Sequence, residues 1–435
     1  MNTRAGIRRE DKNVWERRAP ITPEHVSELA RQHGLQFCVQ PSAIRAIPES
    51  AYRAAGATIQ EDLAECPIVF AVKEIPTDLF RPRGVYVFFA HVIKGQPYNM
   101  PMLKRMLELG CTLIDYEKVT DDQGRRLVFF GRFAGMAGMV DTLWALGQRH
   151  LLEGIASPFS QIQMTFRYGE SGPVRQAVRH VGEQISRQGL PPSLVPFVCG
   201  FAGYGNVSRG AQEIFDELPV RDISPAQLLT LHQEPADAHV VYKVVFKEID
   251  TVQPRDPIRI FDLAHFMSHP DQYQSQFKQY LPHLSVLVNA VYWTRQSPRL
   301  VTKADLKELY AGASLPKLQV IGDISCDIEG AIEATLHSTE PDDPVFVYDP
   351  QTEKAIPGVA GHGPVIMAVD NLPCELPIES STDFSTALKP FLPDIVTADF
   401  SVPWEELQLP PEIKRAVIAY AGQLTPSYRY IQQYL

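Results

Sequence analysis

The sequence predicts an α/β protein of two domains, each built on a parallel sheet, with a cleft between them. Three observations predict it. Strand-length apolar runs alternate with helical patterns through the first 120 residues, a glycine-dense turn follows an apolar run near residue 200, and a second α/β series begins after Pro191-Pro192. At 435 residues the chain is too long for one core, and 45% hydrophobic with 21% charged residues fits an ordinary folded protein. The expected division is 1–150 plus about 360–435 for one domain and about 151–359 for the other.

The first domain's strand candidates are Phe37–Val39, Ile68–Val72, Val85–Ala90 and Cys111–Ile114. A helix is expected from Thr22, where a cap residue precedes Pro23, and another over Asn99–Leu107, whose apolar residues recur at helical spacing. A long helix from about Phe133 to His150 leads out of this domain, with Met136, Met139 and Trp144 as core and Gly135, Ala137 and Gly138 permitting close packing. Strands of the second domain are expected near 195–199, 218–222, 284–289, 317–322 and 344–348, with 235–280 as an embellishment between them. After Pro364–Val369 the pattern turns helical through Leu388 and again over Pro411–Leu424, and these helices are expected to rejoin the first domain.

Composition narrows the function. A net charge of -10 argues against nucleic-acid or anionic-membrane partners, each of which wants a broad basic face, and points to small molecules. Six cysteines stand singly, with no Cys-x-x-Cys pair and no histidine cluster, so no metal site is expected and the thiols suit a reducing compartment. No apolar run follows the N-terminal bases, and Asp141 and Arg149 interrupt the most apolar stretch, so the cytoplasm is the expected location.

The turn Phe197–Ala211 carries the first chemistry. Gly203 and Gly205 allow a tight turn and a close backbone approach to a pyrophosphate, and a helix starting near Asn206 offers free N–H donors and a positive dipole. The spacing departs from Gly-x-Gly-x-x-Gly: the third position is Ser208, and the next glycine is Gly210. About 20 residues past such a turn an acid binds the ribose of NAD, whereas an arginine accommodates the 2′-phosphate of NADP. Arg221 and Asp222 stand there side by side, which leaves both cofactors open.

Ligands of open parallel sheets sit beyond the carboxyl ends of the strands. In the first domain those ends present Lys73-Glu74, His91, and Asp115-Tyr-Glu117. A lysine desolvated beside carboxylates and a histidine suit the proton traffic of making or breaking a C=N bond, and the lysine could instead form a Schiff base itself. Residues 1–23 hold six bases (Arg4, Arg8, Arg9, Lys12, Arg17, Arg18) against three acids, and Arg125-Arg126 adds a second cluster. Arginine forks suit a substrate with several carboxylates.

These residues are familiar together. Gly6–Pro23, Val72–Glu74, Phe88–Lys94, Leu113–Lys118, Phe197–Leu218, Asn289–Trp293, Ser297–Leu300, Asp323–Ser325 and Asp370–Pro373 resemble the lysine-ketoglutarate reductase (lysine-forming saccharopine dehydrogenase) family over nearly the whole chain. The likeness is to the reductase half of the bifunctional lysine-degrading enzyme, standing alone; alanine dehydrogenase is a more distant likeness. It implies two Rossmann-like domains and an oxidoreductase that condenses L-lysine with 2-oxoglutarate and reduces the imine reversibly to saccharopine. NADPH is the favoured reductant, with NADH the alternative. A related alanine-dehydrogenase or opine-type enzyme, using another amine or oxo acid, is the second reading. By the same resemblance Lys73 and His91 are the acid–base pair, Arg18 and Arg126 hold substrate carboxylates, and Lys12, Glu16, Glu74 and Glu117 line or tune the pocket. Gly203, Gly205, Asn206 and Val207 match the pyrophosphate turn, while Asn289, Asp323 and Ile324 match strand ends beside the nicotinamide ribose.

Overall fold

The computed structural model describes residues 2–233, 235–312 and 314–435. It divides into two compact units, the first running to Phe130 and resuming at Pro377–Leu435, the second Gly131–Leu376. These boundaries lie at 130/131 and 376/377 rather than at 150 and 359. The difference is the long helix, Gly131–Leu152, which packs on the helix Asn206–Phe215 of the second unit.

In the first unit, β1 (Arg4–Ile7), β2 (Gln36–Val39), β3 (Thr58–Ile59), β4 (Ile68–Phe70), β5 (Val85–Phe88) and β6 (Thr112–Asp115) pair in the order β6-β5-β4-β1-β2-β3, all parallel. Ile7, Val39, Phe70, Val87 and Ile114 are fully buried, because helices cover both faces of such a sheet and its strands become apolar throughout. The helix Pro23–His33 begins with proline in its first turn, where the missing N–H has no partner to lose, and stops at Gly34 in the left-handed region. Sequence reasoning missed β1, a short strand hidden in the basic N-terminal tract.

The C-terminal segment corrects a second expectation. Pro411–Ala416 is helical, but Val417–Tyr420 and Gln423–Leu424 form a hairpin that extends the sheet antiparallel on β6. Val417, Ile418 and Ala419 are all fully buried, so the run lacks a polar face and suits a sheet, and positive φ at Ala421 and Gly422 makes the turn.

The second unit holds β7 (Val198–Ala202), β8 (Val220–Asp222), β9 (Val241–Phe246), the ribbon β10 (Val252–Pro254) and β11 (Tyr273–Ser275), then β12 (Val286–Asn289), β13 (Val320–Asp323), β14 (Val345–Asp349), β15 (Lys354–Pro357) and β16 (Val365–Met367). Its main sheet is ordered β15-β14-β16-β13-β12-β7-β9-β8, parallel from β8 to β16, with β14 and β15 antiparallel at one edge. Both domains are therefore α/β with mostly parallel sheets. The 235–280 segment supplies β9 to this sheet besides the small ribbon.

Close approach fixes two glycines. A Cβ on Gly135 would stand 1.8 Å from the Val207 carbonyl oxygen, and one on Gly210 would stand 1.9 Å from that of Arg132. The late glycine of the turn is thus a contact point between two helices. Met136 and Met139 are buried in the same core, with Trp144 packed partly against it.

Candidate active site and cofactor turn

In the first unit, the chain leaving β4 is held by a buried carboxylate that sequence reasoning did not single out. Glu10 accepts hydrogen bonds from the backbone N–H groups of Val72 (2.7 Å) and Lys73 (2.9 Å). Burial, with the nearby charge of Glu16, pushes its pKa up to about 7 despite those two donors. Glu10 lay inside the quoted N-terminal motif, but nothing in the sequence linked it to a strand some sixty residues on. Lys73 follows directly. Its ammonium is held below the usual lysine range, first by burial and then by the Arg18 charge, which places proton exchange nearer neutrality.

Glu74 is the hub beside it. One oxygen, Oε1, accepts from His91 Nδ1 at 2.7 Å and from Asn99 Nδ2 at 3.2 Å, and Oε2 accepts from Lys12 Nζ at 3.0 Å. Burial alone would raise the Glu74 pKa; the His91 hydrogen bond and charge, with Lys12, outweigh it and hold the carboxyl well below the ordinary range. An ionised carboxylate can only accept, so His91 donates from Nδ1 and keeps Nε2 for exchange with a bound molecule. His91 sits at φ 48°, a left-handed conformation that a non-glycine residue rarely adopts. Asn99 secures this bend by donating to the Ala90 carbonyl at 2.8 Å.

The remaining charges form pairs. Glu16 takes the Nε (2.7 Å) and Nη2 (2.5 Å) edge of Arg18, both side chains are buried, and the guanidinium lies 4.2 Å from the Phe130 ring centre. Arg126 pairs with Glu117 and is half exposed. Asp115, at the end of β6, accepts from the Glu117 N–H at 2.9 Å, while its Oδ2 has no hydrogen-bond partner among the described residues. Burial, opposed by that donor, pushes its pKa up to about 7. The first unit therefore joins Lys12, Glu74 and His91 in one bonded chain, places Lys73 beside Glu74, and holds Glu16–Arg18 and Glu117–Arg126 as separate pairs.

In the second unit, Gly203 turns the chain after β7 at φ 95°, and a Cβ there would meet the Ala290 carbonyl oxygen at 2.8 Å. Gly205 precedes the helix Asn206–Phe215, a Cβ on it would have nothing within 4 Å, and no side chain caps the helix start. Asn206 and Val207 thus offer backbone N–H donors beside open space. A cavity of about 510 Å³ opens here, lined by Gly203–Gly205 after β7, Phe246–Glu248 after β9 and Ala290–Thr294 after β12. This cradle fits a dinucleotide: glycines where the backbone must approach, and free N–H groups at a helix start for a pyrophosphate.

Asn289 and Asp323 end adjacent strands in register, and Asn289 Nδ2 donates to Asp323 Oδ1 at 2.8 Å. Thr335 donates to the other Asp323 oxygen at 2.5 Å, yet burial pushes the pKa up to about 6. Ile324 is buried, with its N–H donating to the Asn289 carbonyl at 3.0 Å. Arg221 and Asp222 are not at the turn. They lie on the sheet's outermost strand, Arg221 paired with Asp237 at 3.0 Å and Asp222 with Lys243 at 3.2 Å.

The fold and these strand-end clusters define a class: a two-domain α/β protein with a glycine turn suited to a dinucleotide. Family models describe it directly: the alanine dehydrogenase/PNT N-terminal domain matches residues 6–137, and the alanine dehydrogenase/PNT C-terminal domain matches 226–427. The chain thus carries matches to both domains of the alanine dehydrogenase/PNT type. Across 98% of its length it is 38% identical to the mitochondrial alpha-aminoadipic semialdehyde synthase of Bos taurus and 37% identical to the alpha-aminoadipic semialdehyde synthase of Arabidopsis thaliana. It covers 47% and 41% of those proteins, so it spans about half their length. It is also 25% identical to the saccharopine dehydrogenase [NAD(+), L-lysine-forming] of Emericella nidulans, covering 90% of this chain and 92% of that one. Among solved structures, an L-alanine dehydrogenase superposes with a TM-score of 0.60 at 15% identity, over 99% of this chain and 98% of the other, which shows the shared fold.

Proposed function

We propose that this chain condenses L-lysine with 2-oxoglutarate and reduces the resulting imine to saccharopine with NAD(P)H, a reaction it also runs in reverse. The observation that carries the reading is the bonded chain Lys12–Glu74–His91 beside Lys73. The names of the bovine, plant and fungal relatives support the substrate assignment.

Imine formation from an amine and a ketone passes through a carbinolamine, whose hydroxyl needs a proton before it leaves as water and whose nitrogen must give one up. Lys73 Nζ, with its lowered pKa, and His91 Nε2 are the two exchangers. Glu74 and Lys12 orient the imidazole through Nδ1. Arg18 and Arg126 bind the carboxylates of the oxo acid and the amino acid, with Glu16 and Glu117 fixing their geometry. When bound, NAD(P)H supplies the hydride to the imine carbon. Gly203, Gly205, Asn206 and Val207 would hold its pyrophosphate, and the strand ends bearing the Asn289–Asp323 pair would face its nicotinamide ribose. We take NADPH as the preferred reductant and NADH as the alternative. The free thiols of all six cysteines agree with a reducing compartment, and we place the protein in the cytoplasm. No helix among the described residues is long and apolar enough to cross a membrane.

The second reading, an alanine-dehydrogenase or opine-type enzyme, draws on the family models. A substrate panel separates the two. Lysine with 2-oxoglutarate should drive NADPH oxidation faster than any other amine and oxo acid; preference for ammonia with pyruvate would establish the second reading instead.

A further inference from the structure

A dinucleotide seated on the turn after β7 must have the ribose of its adenosine half read by something. In a doubly wound sheet the reader stands at the carboxyl end of the strand beside the glycine-turn strand. Counting along the chain assumes that this neighbour is the next strand in sequence, and so arrives at Arg221 and Asp222. The sheet order contradicts the assumption. Here β9 lies beside β7, and β8 lies outside β9.

Register makes the consequence specific. Ala202 pairs with Phe246, and the Gly203 N–H donates to the Phe246 carbonyl at 3.1 Å, so Lys247 and Glu248 are the residues that flank the turn. Asp222 is in register with Lys243, three residues earlier on β9, which sets it about 10 Å short of the carboxyl edge at ~3.3 Å per residue. Its charge and that of Arg221 are already matched by Lys243 and Asp237.

The groups at the end of β9 are differently placed. Lys247 and Glu248 line the cavity that contains Gly203 and Gly205, and Lys247 also borders an adjoining hollow of about 580 Å³ together with Tyr204 and Arg209. Arg209 belongs to the first turn of the helix that starts at the glycine turn. Both cations are exposed, and neither has an ion pair among the described residues. The carboxylate is occupied: Tyr204 donates its hydroxyl to Glu248 at 3.0 Å. Two unmatched cations and one engaged carboxylate suit a phosphate better than a pair of ribose hydroxyls.

We propose that Lys247 and Arg209 hold the 2′-phosphate of NADP(H), that Tyr204 fixes where the Glu248 carboxylate lies, and that Arg221 and Asp222 take no part in cofactor choice. This rests on the dinucleotide reading above and names the residues that make the selection. The test is binding to the full chain by titration calorimetry, with NADPH, NADH and adenosine 2′,5′-bisphosphate as probes and no turnover required. Wild type should bind NADPH more tightly than NADH. Lys247→Ala with Arg209→Ala should weaken NADPH and adenosine 2′,5′-bisphosphate by about tenfold or more while leaving NADH within about twofold. Arg221→Ala should change none of the three. The proposal is overturned if the double variant weakens NADPH and NADH equally, or if Arg221→Ala is the change that removes the preference. Binding of neither dinucleotide to wild type would instead overturn the cofactor reading itself.

Discussion

His91 shows how much the surroundings invest in one side chain. A left-handed non-glycine residue is destabilising by about 1–3 kcal/mol, and such a bend persists only where neighbours over-determine it, as Asn99 and Glu74 do here. Replacing His91 by Asn, or Lys73 by Met, should lower turnover about 10²- to 10⁴-fold, with NADPH affinity by calorimetry unchanged. Glu10 gives a prediction about pH. Its pKa rises from 4.5 to about 7 on folding, so between those values the folded chain binds more protons than the unfolded one. That contribution to stability is complete below about pH 4.5 and is lost as pH rises through about 7. Denaturant titrations of wild type against Glu10→Gln, across that window, should show a shallower decline in the variant; parallel curves would mean that Glu10 does not titrate this way. Lys73 and His91 were legible in the sequence because each follows an apolar strand by a few residues. Glu10 was not singled out, since its importance comes from burial and from backbone donors that follow another strand.

At the scale of elements, the two kinds of glycine around the turn separate packing from binding. Gly135 and Gly210 let one helix cross another at backbone contact, so Gly135→Ala should destabilise the fold by about 2 kcal/mol or more, measured by thermal or denaturant unfolding. Gly205 faces open space at φ -75°, so Gly205→Ala should fold with nearly wild-type stability. Its added methyl stands where a pyrophosphate approaches, and dinucleotide affinity should drop about tenfold or more. Equal effects of Gly135→Ala and Gly205→Ala on stability would refute this division. The turn, its helix and the alternating strands were readable from periodicity and glycine placement. The order of strands in the sheet was not, because an outer strand and an inner one have the same local pattern, and counting along the chain reaches Arg221 and Asp222 on β8, which lies outside β9. The C-terminal hairpin was hidden for a related reason: Val417–Tyr420 is short and apolar on every side, and only pairing with β6 settles that it is a strand.

For the molecule as a whole, the function proposed above puts proton transfer and carboxylate binding on the first unit and cofactor binding on the second, within the alanine dehydrogenase/PNT fold. The chain spans about half the length of its bovine and plant relatives. The proposed reaction joins lysine to 2-oxoglutarate through a C=N bond and delivers a hydride to its carbon. The most direct test is mass spectrometry of the product from L-lysine labelled with ¹⁵N at the ε-nitrogen, 2-oxoglutarate, and NADPH deuterated at the transferable position. The expected result is a single saccharopine product that retains the ¹⁵N as a secondary amine and carries one deuterium on the carbon that was the ketone. A product lacking either skeleton, or deuterium lodged only in 2-hydroxyglutarate, would contradict it.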